Sequence, residues 1–263
     1  MKKFLIILLL LILPTFAMAD MFSVDSVNTV MDATRIYSFS AANNYGIYAS
    51  LQVGAAVSLG RLYRSLIRFP SIDDTLTALG GTADSAILFL QVVVPVGDGD
   101  TLYLVGYPLL RYFEEGFGNG LDTCGADWTH ANDYNHTGCL GSDIDWTTAG
   151  AGSAGNDYTD TRILQWWNGA SYQDSIEVTI GSFPDNDTVS LKIDGQYVDE
   201  LYGNGILLAY STVKDSTEDG NCNISFHSDD AADPKYYPYV WVYYTIGEEE
   251  TTGRRRRLYG GNR

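Results

Sequence analysis

In several segments of this chain, hydrophobic and polar side chains alternate at every second residue, which is the period of a β-strand. The clearest case is the segment 236–246, where Val240 and Val242 share one face. The opposite face carries four aromatic side chains, Tyr237, Tyr239, Trp241 and Tyr243. If the valines face a core, the aromatic side chains line the outer face of a sheet, and a second sheet must cover the valines.

Other segments add strands but no long helix. Three more strands are predicted at 85–94, 101–107 and 175–180. Residues 190–198 contain Asp194-Gly195 between two short alternating runs, which predicts a β-hairpin because both turn positions need a positive φ. No stretch shows helical periodicity beyond a turn or two. The predicted fold class is therefore all-β, arranged as a β-sandwich.

The N-terminus has the pattern of a secretory signal peptide. Lys2 and Lys3 precede an unbroken apolar run over 4–13, and Ala17-Met18-Ala19 has the small-x-small pattern read by signal peptidase. The run is too short to span a bilayer, for which a helix needs about 20 residues. We expect removal of residues 1–19 and a mature chain without a transmembrane segment, located in the periplasm, at the cell surface or outside the cell.

The chain is strongly acidic, with a formal net charge of −17 that becomes about −19 once the two lysines of the signal peptide are removed. Such a surface repels phosphate groups, which excludes nucleic acid as a partner. Hydrophobic residues make up 45% of the chain, enough for a packed core. We predict one domain over 20–247 and a flexible charged tail over 248–263, either solvated or used for attachment or processing.

Three cysteines constrain the middle of the chain. Because an exported protein meets an oxidising environment, we predict a disulfide between Cys124 and Cys139, with Cys222 left over. Closing a loop of that size is worth about 3 kcal/mol in the chain-entropy model. The alternative is a zinc site that also uses His130 and His136, although the spacing matches no standard zinc finger.

Residues 116–157, called the excursion below, are rich in Gly, Asn, Asp and Thr and are too long for an ordinary loop. Trp128 and Trp146 lie in this region, where an aromatic side chain has few packing reasons to occur. These two residues, with Tyr239 and Trp241 of the predicted outer sheet face, are candidate platforms for sugar rings. The alternative for the aromatic side chains of the strand is that they pack as core beneath the excursion.

Charged and amide side chains supply further candidate ligands. Arg64 and Arg68 share one face at a spacing of four and could hold a carboxylated sugar, or else pair with the abundant Asp and Glu. Asp32, Asn43 and Asn44 lie at predicted strand ends and could supply oxygen ligands to calcium, the one candidate cofactor. The alternative for these three is turn capping.

No catalytic residue is predicted. Glu114 and Glu115 are adjacent glutamates, but neighbours on a strand point to opposite faces, whereas glycosidase carboxylates must face each other across a sugar. We expect one of them to pair with Arg111 and the other to be solvated. The sequence contains no nucleophile elbow, P-loop or dinucleotide fingerprint.

A set of short motifs is carried along the chain in a fixed order. They are Asp32-Ala33-Thr34, 43–46, 51–54, 64–69 (RSLIRF), 111–116 (RYFEEG), 127–128, 146–150, 205–208, 224–230 (ISFHSDD) and 237–244 (YPYVWVYY). In order and spacing this set resembles the DNRLRE-type, disaggregatase-related domains of secreted proteins. The chain departs from the family pattern at Pro70, where Asp is usual, at Tyr112-Phe113 for Pro-Trp, and at Asp229-Asp230 for Arg-Glu.

The resemblance implies a jelly-roll β-sandwich of the kind appended to polysaccharide-active enzymes or adhesins, with some members binding acidic polysaccharide. The resulting hypothesis is a secreted, non-catalytic module that binds polysaccharide or another extracellular surface. A polysaccharide lyase or hydrolase with a site in 111–146 is one alternative. The other is a structural or adhesin subunit of a surface or virion assembly, whose aromatic faces are buried by self-assembly.

Overall fold

The computed structural model describes residues 20–25, 31–56, 59–97, 102–120, 123–134, 139, 141–167, 170–178, 187–210 and 221–246. The predicted signal peptide, 1–19, and the predicted tail, 248–263, lie outside these residues. Within the described part of the chain, no helix combines the length and the apolar character needed to cross a bilayer.

The secondary structure is dominated by antiparallel strands, which confirms the predicted all-β class. The strands are β1 (Asp20–Asp25), β2 (Asp32–Tyr37), β3 (Ser50–Ala56), β4 (Arg61–Arg68), β5 (Gly81–Gly97), β6 (Leu102–Pro108), β7 (His130–Asn132), β8 (Ile144–Asp145), β9 (Trp166–Trp167), β10 (Tyr172–Gln173), β11 (Ile176–Val178), β12 (Thr188–Asp194), β13 (Ile206–Tyr210), β14 (Asn221–His227) and β15 (Tyr239–Ile246). The helices are α1 (Ser71–Leu79) and α2 (Val198–Tyr202).

The large sheet curls so that two layers face each other. The first layer has the strand order β1-β15-β5-β12, and the second has β14-β3-β4-β13-β6-β11, with β2 also paired to β4. Strand β5 belongs to both layers, because residues 81–91 pair with β15 or β12 and residues 92–97 pair with β14. The architecture is thus sandwich-like, as predicted.

The main core lies between the two layers. Leu88, Val240 and Val242 of the first layer are fully buried in one cluster with Val53 and Phe226 of the second. Removing such apolar side chains from water contributes about 25 cal/mol per Å² of buried area. The alternation predicted for 236–246 is confirmed over β15, where the valines face this core.

A second cluster lies on the other face of the second layer. Ile36 and Val105, which point away from the main core, pack there against Phe113 and Trp146. The excursion, 116–157, supplies further buried side chains to this cluster. The excursion, whose sequence is that of a long polar loop, therefore covers one side of the sandwich. Its apolar side chains face the second layer.

A disulfide joins Cys124 to Cys139, with their Cα atoms 5.9 Å apart, and confirms the predicted pairing. Since both sulfur atoms are bonded to each other, the alternative zinc site at these cysteines is excluded. Cys222 lies in β14 and takes no part in this bond.

A short helix occupies 71–79, where the sequence shows no helical periodicity beyond a turn or two. Helix α1 buries Ile72 and Leu76, which are four residues apart and form a single apolar stripe. The helix ends at Gly80, whose φ of +63° favours glycine. A stripe of two side chains in a nine-residue helix is too short a pattern to stand out in the sequence.

The predicted hairpin at Asp194-Gly195 is wrong. Strand β12 ends at Asp194, and the chain continues through a 3₁₀ helix, Gly195–Tyr197, into α2. Gly195 is not among the positive-φ residues; a Cβ there would lie 2.6 Å from the carbonyl oxygen of Asp84. The glycine thus permits close backbone approach, and Val198 of α2 is buried in the main core.

Candidate functional site

The outer surface of the first layer carries a cluster of aromatic rings. Tyr239 and Trp241 alternate with the buried valines of β15 and are half-buried. Phe89, opposite Tyr239 on β5, stacks on it with ring centroids 4.5 Å apart and an interplanar angle of 12°. Trp241 meets the edge of Phe89 at 4.8 Å. These cross-strand contacts fix three rings on one side of the sheet.

The same surface continues across the next strands. Trp241 lies opposite Ile87, and Ile87 lies opposite Lys192 of β12. Two strand spacings of about 4.8 Å place Trp241 and Lys192 roughly 10 Å apart along this row. The row can therefore contact more than one sugar ring of an extended chain.

A short hairpin extends the surface beyond β12. Backbone hydrogen bonds join Lys192 to Gln165, just before β9, at 2.7 and 2.8 Å. Strands β9 and β10 then place Trp167 against Tyr172, with ring centroids 5.2 Å apart, and the ammonium group of Lys192 lies 5.1 Å from the Tyr172 ring. Trp167 and Tyr172 are 51% and 50% exposed.

We name this surface the aromatic face and define it by Phe89, Trp167, Tyr172, Tyr239 and Trp241, with Ile87 and Lys192 between them. Its rings are held by cross-strand contacts and expose flat apolar surface, as sugar stacking requires. Lys192 also pairs with Asp194 at 2.9 Å, so its charge is largely neutralised.

The two tryptophans of the excursion pack against the second layer to different extents. Trp146 is only 4% exposed, and its indole nitrogen donates to the carbonyl of Asp127 at 3.0 Å. Trp128 is half-buried and packs against the second cluster beside Gly150. The structure thus places Trp146 within the second cluster and Trp128 against it, although the sequence offers few packing reasons for aromatic side chains in this region.

The two predicted arginines are engaged within the protein. Arg68 forms an ion pair with Asp32 and also contacts Tyr112. Arg64 donates to the carbonyl of Gly150 and lies over the Trp128 ring at 5.5 Å. Burial lowers the pKa of the Arg64 guanidinium. The ion pair of Arg68 is the one expected in the alternative interpretation. Both guanidinium groups bind partners within the protein.

The three candidate calcium ligands are not brought together. Asp32 pairs with Arg68, and Asn43 donates to the carbonyl of Gly120 at 2.8 Å. The Asn44 side chain is fully buried and is bonded to backbone groups. Three other carboxylates do converge, within 4.8 Å of one another: Glu115, Asp229 and Asp230. Sequence reasoning missed this group because its members come from distant loops.

The adjacent glutamates point to different partners, but not the predicted ones. Glu114 accepts a hydrogen bond from the Tyr134 hydroxyl, and Glu115 accepts from the backbone N–H of Ala33 at 3.0 Å. Arg111 pairs instead with Asp157 at 3.1 Å. The expectation that one glutamate would pair with Arg111 is therefore wrong.

Glu115 and Asp229 have strongly raised pKa values. Burial, reinforced by the charge of Asp229, raises the pKa of Glu115 to about 9. Burial and the neighbouring charge of Asp230 raise the pKa of Asp229 to about 7. One oxygen of Asp229 is buried without a hydrogen-bond partner among the described residues. At neutral pH, Glu115 is therefore protonated.

These shifts predict that stability falls as pH rises. The folded chain holds protons on Glu115 and Asp229 that the unfolded chain releases near pH 4. The contribution of these two groups to the free energy of unfolding is therefore largest below about pH 4 and decreases as the pH rises to about 9. Glu115→Gln should raise the melting temperature at pH 8.5 and change it little at pH 5, measured in EDTA. The exposed Glu177→Gln is the control, and a profile equally steep in both variants would contradict the assignment to Glu115.

Sequence reasoning missed Phe89, Trp167, Tyr172 and Lys192 of the aromatic face. Phe89 lies on the outward face of β5 with Ile87, but the segment 85–94 has apolar side chains on both faces, so the sequence does not show which face is outward. Trp167 and Tyr172 lie in two-residue strands, which are too short for a periodic signal.

Comparison with protein-family models and with curated proteins finds no match to this chain.

Proposed function

We propose that this chain is an extracellular, non-catalytic binding module whose aromatic face takes a polysaccharide. The observation that carries the proposal is the set of rings fixed across β15, β5 and the β9–β10 hairpin, with Trp167 and Tyr172 half-exposed. Contact between a sugar ring and an aromatic plane removes apolar area from water at about 25 cal/mol per Å². The signal-peptide pattern and the resemblance to DNRLRE-type domains support the same proposal.

Electrostatics favour a neutral polysaccharide over an acidic one. The chain has a net charge of −17, and the lysine of the aromatic face is paired with Asp194. A uronate-containing chain would meet repulsion there, because Lys192, the cation among the residues that define the aromatic face, is paired with Asp194, and Arg64 and Arg68 are engaged elsewhere. A neutral chain needs only ring contacts and hydrogen bonds.

Affinity from one ring is weak, so binding requires several rings of the face acting together. Tyr239→Ala removes the central stacked ring. It should lower the affinity for whichever polysaccharide retains the wild-type protein in a gel by at least about tenfold, which corresponds to roughly 1.4 kcal/mol. Affinity electrophoresis in gels containing neutral or uronate-rich polysaccharides measures this directly.

Tyr63→Ala is the matched control for this variant. Tyr63 is a half-buried tyrosine of the second layer that stacks on Tyr37 across strands, with centroids 4.6 Å apart and an angle of 8°. Both variants lose an equivalent stacked pair, so their stabilities should fall together while only Tyr239→Ala loses binding. Loss of binding in Tyr63→Ala alone would move the ligand surface to the second layer.

Two further outcomes of the same experiment would contradict the proposal. Depolymerisation of the polysaccharide, abolished by Glu115→Gln, would establish the enzyme alternative, since raised carboxyl pKa values also occur at catalytic sites. A Tyr239-dependent oligomer in gel filtration, without retention of any polysaccharide, would establish the structural-subunit alternative.

A further inference from the structure

A histidine in the excursion lies between two buried aspartates. The side chain of Asp127 is fully buried, that of Asp133 is 6% exposed, and that of His130 is 23% exposed. The Nδ1 atom of His130 lies 3.0 Å from Oδ2 of Asp127 and 3.7 Å from Oδ2 of Asp133. One nitrogen and two carboxylate oxygens therefore converge on a common point.

These separations are those of ligands around a small divalent ion. Zinc binds histidine nitrogen and carboxylate oxygen at about 2.0–2.2 Å in tetrahedral sites, so two of its ligand atoms lie about 3.3–3.6 Å apart. The two measured separations, 3.0 and 3.7 Å, bracket this range. The three candidate ligand atoms all lie within 4.8 Å of one another.

The outer contacts of the group orient its atoms toward that point. Oδ1 of Asp127 accepts from the backbone N–H of Thr129 at 2.6 Å and of His130 at 2.7 Å. Both oxygens of Asp127 face Nδ1 of His130, at 3.2 Å for Oδ1 and 3.0 Å for Oδ2, and the Thr129 hydroxyl lies 2.8 Å from the same nitrogen. On the other side of the ring, Nε2 of His130 lies 3.5 Å from Oδ1 of Asp145, its partner across β7 and β8. A carboxylate behind the second ring nitrogen is the usual environment of a metal-bound histidine.

The surrounding frame is rigid. Gly125 and Asp133 exchange backbone hydrogen bonds at 3.1 and 3.2 Å, and the disulfide from Cys124 closes the same segment. The indole N–H of Trp146 donates a hydrogen bond to the Asp127 carbonyl. A frame of this kind fixes ligand geometry before the ion arrives.

We propose that Asp127, His130 and Asp133 form a binding site for a divalent transition-metal ion, with Zn²⁺ as the best match. Imidazole nitrogen favours zinc over calcium, which takes oxygen ligands. This site is separate from the aromatic face and does not depend on the glycan proposal.

Isothermal titration of the tag-free, EDTA-treated protein with zinc chloride tests the site. We expect one Zn²⁺ bound per chain and a higher melting temperature in its presence. His130→Ala should lower the affinity by at least about 100-fold, and Asp145→Asn, which changes only the outer carboxylate, by about tenfold. His227→Ala, which alters a histidine stacked on Tyr236, should keep wild-type affinity.

No stoichiometric zinc binding by the wild-type protein would overturn the proposal, as would undiminished binding by His130→Ala. If His130→Ala fails to fold, Asp145→Asn decides, because the Asp145 side chain is 77% exposed and its replacement leaves the packing intact. Wild-type affinity in Asp145→Asn would then contradict the assigned orientation of the histidine and with it the site.

Discussion

Asn44→Ala is expected to destabilise the protein by at least about 4 kcal/mol, because each buried backbone group left unsatisfied costs about 1–3 kcal/mol. The Asn44 amide nitrogen donates to the carbonyls of Glu115 and Ala126 at 2.6 and 2.9 Å. Its oxygen accepts from the N–H groups of Gly46 and Gly118 at 3.0 and 2.7 Å. One side chain thus satisfies four backbone groups from three segments.

Asn43→Ala is the control, since Asn43 makes a single side-chain bond to Gly120 and should cost about 1 kcal/mol. Urea unfolding of both variants, followed by circular dichroism, gives the two free energies. Equal losses in the two variants would show that the four contacts of Asn44 do not carry the stability assigned to them.

Trp146→Ala is expected to cost about 3–5 kcal/mol, the range for removing a large aromatic side chain from a core. The side chain is 4% exposed and packs between Phe113 and the outward residues of the second layer. Trp167→Ala, at a position 51% exposed, should cost less than about 1 kcal/mol.

The two tryptophans should have opposite effects on polysaccharide binding. Trp146→Ala should bind normally wherever it remains folded, whereas Trp167→Ala should bind more weakly. Denaturant midpoints and gel retention for both variants check this. A stable Trp146→Ala protein that no longer binds would restore the excursion as the ligand surface.

The fold class and the face carried by β15 could be predicted from the sequence because both follow from a local period of two. Val240 and Val242 are buried where the alternation places them, and Tyr239 and Trp241 lie on the opposite face. The disulfide could also be predicted, because the predicted export and the position of Cys124 and Cys139 on either side of a polar segment make them the natural pair.

The role of the excursion could not be predicted in the same way. The polar sequence neighbours of Trp146 predict an exposed side chain. In the structure it is buried in one cluster with residues such as Ile36, which are far away in the chain. The hairpin at Asp194-Gly195 failed for a related reason. Gly195 is needed because the backbone of Asp84 passes close to it, and not because its φ is positive. The sequence alone does not distinguish these two reasons for a glycine.

The acidic group shows the same limit. Glu115 and Asp229 are more than a hundred residues apart, and only the packing of their loops raises their pKa values. The prediction of calcium ligands rests on the sequence positions of Asp32, Asn43 and Asn44 near predicted strand ends. Each has an internal partner that the sequence does not reveal.

The central claim is that polysaccharide binds on the aromatic face, and the indole N–H signals of the five tryptophans test it most directly. In a ¹⁵N-labelled sample titrated with soluble oligosaccharides of the retained polysaccharide, we expect the signals of Trp241 and Trp167 to shift in a saturable way. The signal of Trp146 should not move. Saturable shifts of Trp128 or Trp146, with Trp241 and Trp167 unchanged, would contradict the claim.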